Sequence, residues 1–456
     1  MGTRDQLRLT VLLSLPSILA QVSSIIMQYI DAAMVGSLGA EASASIGLVS
    51  TSTWLFWSIC SAVVSGFSVQ VAQFIGADKY HDARAVVRQG LFASITFSII
   101  LAAIGCIISG GLPSWLGGND EINSDATIYF FIFSAGLPVF QLGYFAGAVL
   151  RCSGNMFVPG MLNILMCVLD VVFNTLLIFP TREVWGITLY GAGMGVKGAA
   201  LGTFLAEGVI GLVMFAYMWW RCRPLDMSRT SGTFLPRRRT LQRAEKIGLP
   251  LAAEHIMVCG AQIITTVIVA PLGTIAIAAN AFAITAESLC YMPGYGVGEA
   301  ATTLVGQSIG AGRKKLADRF AKITIYSGMV IMTVMGAIMY LVAPAMMSFF
   351  TPDISVQSLG VSILRIEAWA EPMFAAAIVA YGAFVGAGDT LIPSCMNLGS
   401  IWAVRLTLAA ILAPDYGLAG VWIAMCAELC FRGAIFLWRL YSKAWLKSVN
   451  NITLTH

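Results

Sequence analysis

Runs of about 20 predominantly apolar residues, each long enough to cross a hydrocarbon core of about 30 Å, recur from one end of this 456-residue chain to the other. Period and length identify about twelve of them as helices, centred near Gln21, Ser61, Ser98, Gly136, Val168, Gly208, Gly260, Met292, Met332, Ala376, Ala403 and Met425. The stretches between them are mostly too short to fold alone. Only 11% of the residues are charged, against about 25% in a typical soluble domain, and mean hydropathy is +0.81. An all-α polytopic membrane protein with no separate soluble domain is the expectation. The leading MGTRDQLRLT is short and charged with no cleavage site after it, so the first apolar run reads as a retained helix.

Charges between the runs set the orientation. Lys79, Arg84 and Arg88 follow helix 2, a basic stretch from Arg221 through Arg229 and Arg237 to Lys246 follows helix 6, and Arg313, Lys314, Lys315 and Arg319 follow helix 8. The opposite loops carry Glu41, Asp120, Glu121, Asp125, Asp353 and Asp415, with Arg182 and Lys197 as exceptions. By the positive-inside rule both termini and the even-numbered loops are expected to be cytoplasmic, in a multi-pass protein expected in the plasma (inner) membrane. The ten cysteines form no CxxC pair and the histidines are His81, His255 and His456, so neither a disulfide framework nor a structural metal is expected. No GxxxxGK[ST], GxSxG or HExxH string is present, which argues against nucleotide-driven transport and against an intramembrane hydrolase. No pore loop suggests a channel.

An internal repeat is the strongest structural signal. LSLP ending at Pro16 matches IGLP ending at Pro250, VGSLG ending at Gly39 matches VAPLG ending at Gly273, QFIGA ending at Ala77 matches QSIGA ending at Ala311, and SGNMFVP ending at Pro159 matches AGDTLIP ending at Pro393, all 234 positions apart. Asn163 and Asn397 keep the same spacing. Only GVKGAA from Gly195 and GLAGVW from Gly417 slip, to 222, which places a longer loop after helix 5 in the first half. An even number of helices per copy sends both copies into the membrane from the same side. The expected fold is therefore two six-helix lobes related by a pseudo-two-fold axis along the membrane normal, enclosing a cleft whose access alternates. The boundaries read as an N-lobe over 1–220, a cytoplasmic linker over 221–244, and a C-lobe with its tail over 245–456.

The repeat also acts as a filter. Asp31 corresponds to Thr265, Asp170 to Val404 and Glu254 to Ala20, so shared architecture does not demand these acids. A charge at the bilayer centre costs at least roughly 2.5–3.5 kcal/mol, and it is expected to face a cavity, find a partner or carry a proton.

The twelve helices and repeat, with IDAAMVGSLG in helix 1, GVKGAALGT in helix 6, GQSIGAGRK after helix 8 and GAGDTLIP after helix 10, resemble the multidrug and toxic compound extrusion family over essentially the whole chain. The resemblance implies outward antiport of small organic, cationic or amphipathic compounds against inward H⁺ or Na⁺, with no cofactor beyond the coupling ion. It marks Asp31 as the coupling carboxylate. It also implies a helix 5 Asn-x-x-x-Asp and a helix 6 threonine beside it. This chain has DVVFN, with Asp170 and Asn174 in swapped order, and Thr203 in ALGT. An i, i+4 spacing keeps Asp170 and Asn174 on one helix face. The four oxygen-bearing side chains could hold Na⁺; alternatively, two carboxylates sharing a dry pocket could load and release a proton. The plainer alternative makes Asp31 a helix-end residue and Asn174 and Thr203 interhelical hydrogen-bonding groups. In the C-lobe the cleft candidates are Glu254, Glu287, Glu371 and Arg405, with Tyr144 and Tyr291 as cation–π partners for a flat cargo. Equally, Arg405 could be neutralised by a glutamate and the aromatics could be packing. A lipid-linked-precursor flippase of the same superfamily is the alternative function, although it would call for a more basic cleft. A monomer among membrane lipids, binding no nucleic acid, completes the expectation.

Overall fold

The computed structural model describes residues 2–184, 187–227 and 232–448; Arg229 of the basic stretch lies outside the described residues. Long helices dominate: α1 (Thr3–Gly36), α2 (Ala40–Gly76), α3 (Tyr80–Ile108), a single turn α4 (Leu112–Trp115), α5 (Asp120–Cys152) and α6 (Phe157–Ile178). A hairpin of β1 (Pro180–Val184) and β2 (Ile187–Ala192) then leads to α7 (Gly195–Trp220). The second half holds α8 (Arg238–Val269), α9 (Thr274–Gly310), α10 (Lys314–Phe350), α11 (Ile354–Glu367), α12 (Glu371–Ala387), α13 (Leu391–Gly399), α14 (Thr407–Ser442) and a terminal α15 (Ala444–Ser448).

Among the described residues ten helices are long and apolar enough to cross a membrane, and α11 with α12 makes an eleventh span bent by 59°. The Leu391–Ser442 stretch contains the twelfth, because its backbone leaves helical geometry at Gly417 (φ 58°, ψ −138°). The expected twelve crossings are thus accounted for.

The breaks have local causes. Asp353 caps α11 by accepting the Ser355 backbone N–H at 2.8 Å and that of Val356 at 3.4 Å, which satisfies donors that a helix start leaves open. Pro372 in the first turn of α12 has no N–H to give and its ring excludes the carbonyl four residues back, so the helix is interrupted at Ala368–Ala370 and restarts. Left-handed glycines recur at the repeat spacing: Gly39 with Gly273, Gly154 with Gly388, and Gly195 with Gly417. Where the sequence predicts a longer loop after helix 5, the structure has the β1–β2 hairpin; its Val, Ile, Thr and Tyr residues favour extended backbone.

The chain divides into two compact units. One takes in Ser23–Ile75 and Lys79–Leu249; the other takes in Met1–Val22, Gly76–Asp78 and Pro250–His456. In the first, α5 packs on α3 and α7, and α6 on α7, around a core that includes Phe67, Phe145, Leu150, Met214 and Met218. In the second, α12 packs on α10 and α14, with α9 against both α10 and α12. Its core runs from Ile363, Leu364 and Trp422 to Phe384, Phe436 and Trp445. The α5 contacts of one unit therefore reappear as the α12 contacts of the other, the packing counterpart of the sequence repeat.

Candidate functional site: a two-carboxylate constellation in the first unit

Asp31 stands on α1, five residues before its end at Gly36. Asp170 and Asn174 lie one turn apart on α6, each only 1% exposed. The Asn174 amide bridges the two acids: its Nδ2 donates to Asp31 Oδ1 at 2.9 Å and to Asp170 Oδ2 at 3.0 Å. Both amide hydrogens are thereby used. The swapped order of Asp and Asn along α6 leaves both groups on the inward face, as the i, i+4 spacing requires.

The Thr203 hydroxyl on α7 faces the Asp170 carboxyl. Its neighbour Gly202 makes this approach feasible, since a Cβ there would overlap the Asn174 side chain. Asp170 Oδ1 and Asn174 Oδ1 are buried and accept no hydrogen bond in proper geometry. Among the described residues no Lys or Arg forms an ion pair with either acid. The site is therefore rich in oxygen lone pairs and short of positive charge, the donor set that suits H⁺ or a hard monovalent cation.

The sequence reading did not single out two further groups. Glu207 feels the charge of Asp170, and the Tyr129 hydroxyl feels Asp31, Asp170 and Glu207. Glu207 falls four residues after Thr203, on the same face of α7; that spacing was the available signal.

The second unit carries its acids differently. Glu254 on α8 accepts from Tyr381 and, at 2.7 Å, from Asn397 Nδ2, while Tyr381 also contacts Ser394 at 3.2 Å. Arg405 is neutralised by Glu428, whose Oε2 it meets at 2.7 Å; Arg432 meets Oε1 of the same glutamate at 2.7 Å, and Ser400 donates to it as well. Glu287, Glu367 and Glu371 form an acidic neighbourhood with Cys290, and Arg405 acts electrostatically on Glu287 and Glu367. Glu367 and Glu371 are fully buried with all four carboxylate oxygens unpartnered. Glu254 and Glu371 thus belong to different clusters. Tyr291 packs edge-on against Phe374 with centroids 5.6 Å apart, and Tyr144 against Trp57 at 5.2 Å, beneath the Arg151 guanidinium at 5.9 Å.

Twelve crossings, a repeat carried by both sequence and packing, and buried carboxylates in both units define a multi-pass membrane protein of transporter architecture. The family model MatE matches residues 16–176 and 250–411, two segments that themselves begin 234 positions apart, and the chain belongs to that family. It is 26% identical to the "Probable multidrug resistance protein NorM" of Thermotoga maritima, over 95% of this chain and 92% of the relative. It is 27% identical to the protein of the same name from Pseudomonas aeruginosa, over 93% and 87%. Among solved structures it resembles the Vibrio cholerae MATE transporter VcmN in the bent form, with a TM-score of 0.87 at 19% identity and 98% coverage of both chains. A MOP superfamily transporter from Pyrococcus furiosus matches with a TM-score of 0.87 at 20% identity, over 99% of this chain and 97% of that one.

Proposed function

We propose that this protein exports small organic compounds, cationic or amphipathic, by antiport against H⁺ or Na⁺, and that Asp31 with Asp170 loads the coupling ion. The observation that carries this reading is the Asp31–Asn174–Asp170 constellation, two acids on different helices bridged by one amide, with no Lys or Arg among the described residues in an ion pair with either. The relatives named as multidrug resistance proteins support the choice of cargo class.

Two carboxylates sharing one amide donor repel, so the empty site is strained and the site holding H⁺ or Na⁺ is relaxed. An ion whose binding changes the relative stability of two conformations is coupled to any cargo that prefers one of them, and the coupling is reciprocal. Asn174 and Thr203 are positioning and ligand groups, and Glu207 adds negative potential that favours a cation's arrival. On this reading Glu254, Glu287 and Glu371 offer negative charge to a cationic cargo. The protein works in the plasma membrane with its basic loops cytoplasmic.

Dye efflux from vesicles holding the purified protein, under an imposed pH gradient and then an imposed Na⁺ gradient, tests the reading. Efflux driven by one of the two supports it and identifies the ion. Efflux that continues only with ATP once every ion gradient has collapsed would overturn it.

A further inference from the structure

Where α11 meets α12, the second unit carries a groove of about 530 Å³, within the range of small-molecule sites, about 300–1,000 Å³. Tyr340 of α10, Arg365 of α11, Trp369 in the α11–α12 break, and Ile423 and Cys426 of α14 line it. Its surroundings are those of a lipid-facing surface, with Val334, Ile338 and Leu341 exposed on α10 at helical spacing and Phe431 and Trp438 exposed on α14. Depth decides what such a groove can receive. Trp369 lies 15 residues after Ile354 and 18 before Ala387, in the middle of the bent span. Arg365 stands about 16 Å along α11 from its start at Ile354, roughly half of a hydrocarbon core about 30 Å thick. Lipid headgroups do not come down to it.

Arg365 is the exception to this apolar setting. Its Nε donates to the Tyr340 carbonyl at 3.3 Å, and its guanidinium lies 5.1 Å from the Tyr340 ring centroid. Trp369, 76% exposed, meets the same ring edge-on with centroids 6.4 Å apart. Among the described residues no carboxylate pairs with Arg365, and its two terminal nitrogens have no hydrogen-bond partner. Glu367, two residues on, is fully buried on another side of α11. Arginine keeps its charge at any accessible pH, and a charge without a counter-charge in hydrocarbon is costly. The cost falls when an anion that itself dissolves in hydrocarbon pairs with the guanidinium. Phosphates and small carboxylates hold their water too tightly for that. An anion whose charge is spread over an aromatic ring does dissolve there, and its ring finds those of Tyr340 and Trp369.

We propose that this groove binds a bilayer-dissolved aromatic anion, the deprotonated form of a lipophilic weak acid such as a polyhalogenated phenol. Its anionic oxygen sits on the terminal nitrogens of Arg365, in a charge-assisted contact, and its ring lies against Tyr340 and Trp369. Such a ligand enters from the lipid side, where the exposed apolar residues of α10 and α14 flank the groove. This inference is independent of the ion-coupling reading.

Quenching of Trp369 by a brominated phenol tests it in the full-length protein reconstituted in phosphatidylcholine bilayers. Tribromophenol is largely phenolate at neutral pH, its methyl ether is neutral and of similar size, and the bromines of both quench on contact. Trp369 fluorescence is obtained as the difference between wild type and Trp369→Phe, and each quencher is measured as its mole fraction in the membrane. The phenolate is expected to reach half-quenching at a mole fraction about tenfold lower than the ether, the effect of one hydrogen bond between charged groups. Depth alone predicts the reverse order, because a phenolate without a partner stays nearer the headgroups than the ether does. Arg365→Gln, which keeps a donor for the Tyr340 carbonyl, should abolish the preference, and Arg365→Lys should retain part of it. Equal half-quenching by the two compounds in wild type, or a preference that survives Arg365→Gln, overturns the proposal. So does a wild-type preference that persists once the pH is low enough to protonate the phenol, since Arg365 stays charged and only the ligand has lost its charge.

Discussion

Asp31→Asn should abolish gradient coupling while leaving the fold intact. Asp31 Oδ1 accepts from Asn174 Nδ2 at 2.9 Å, and an asparagine can turn its own Oδ1 to the same donor, keeping a hydrogen bond worth about 0.5–1.5 kcal/mol. What disappears is charge. Two carboxylates at on the order of 4 Å, in an effective dielectric of about 20, repel by about 4 kcal/mol. Wild type relieves that repulsion by taking up an ion, whereas the variant has little to relieve. On the driving side, one charge moved through 100 mV supplies about 2.3 kcal/mol, roughly a fifty-fold concentration ratio. In dye-loaded vesicles under a full gradient, wild type is expected to hold a ratio of tens, and Asp31→Asn a ratio near one. Its melting temperature should equal or exceed that of wild type. If Asp31 and Asp170 form one site, Asp31→Asn with Asp170→Asn should be little worse than either alone. Wild-type efflux with a wild-type response to pH and Na⁺ in Asp31→Asn would refute the reasoning and leave Asp31 as a helix-end residue.

Gly202→Ala should reproduce much of the Asp31→Asn defect without touching a titratable group, because the new methyl overlaps the Asn174 side chain; intact gradient-driven efflux would show that the Asn174 bridge is dispensable. Glu428→Gln leaves two half-neutralised guanidinium groups, Arg405 and Arg432, around one buried position, and a loss of about 3–5 kcal/mol is expected in denaturation. A loss under about 1 kcal/mol would mean that solvent already balances them. Glu371→Gln, at a fully buried acid with both oxygens unpartnered, should weaken binding of cationic dyes more than that of neutral ones. Equal weakening, read by equilibrium titration, would point to a packing role.

The repeat made most of the fold legible before any coordinates. Helix positions, the 234-residue spacing and the slip to 222 all describe backbone, and backbone is what a duplicated unit preserves; Gly195 and Gly417 still share φ values of 56° and 58°. The hairpin between β1 and β2 was read only as extra length, since a short polar–apolar alternation cannot be told from a loop by length alone. At the site, removing whatever the repeat explains brought Asp31 and Asp170 forward, and the structure places both on Asn174. The same filter passed over the partners. Asn397 was visible only as the counterpart of Asn163, and its bond to Glu254 depends on a tertiary approach of α13 to α8 that no spacing reveals. Arg432 sits four residues after Glu428, a legible i, i+4 pair, but which glutamate would neutralise Arg405 was not legible, because α11, α12 and α14 all offered one.

The two units treat buried charge in opposite ways, and this bears on which of them couples the ion. In the second unit Glu428 is held by two arginines and a serine, and Glu254 accepts from a tyrosine and an asparagine. Such acids are already satisfied, so an arriving proton or Na⁺ gains little and must first break existing bonds. In the first unit one amide is shared by two acids, with the Thr203 hydroxyl beside Asp170, and two buried oxygens, Asp170 Oδ1 and Asn174 Oδ1, accept no hydrogen bond in proper geometry. An arriving cation there removes repulsion and supplies the missing partner in one step, so its binding energy is available to shift a conformational equilibrium. Glu367 and Glu371 are the exception in the second unit, with four unpartnered oxygens, and they sharpen the test. If they couple instead, Glu371→Gln rather than Asp31→Asn will be the substitution that separates dye efflux from the gradient while dye binding persists.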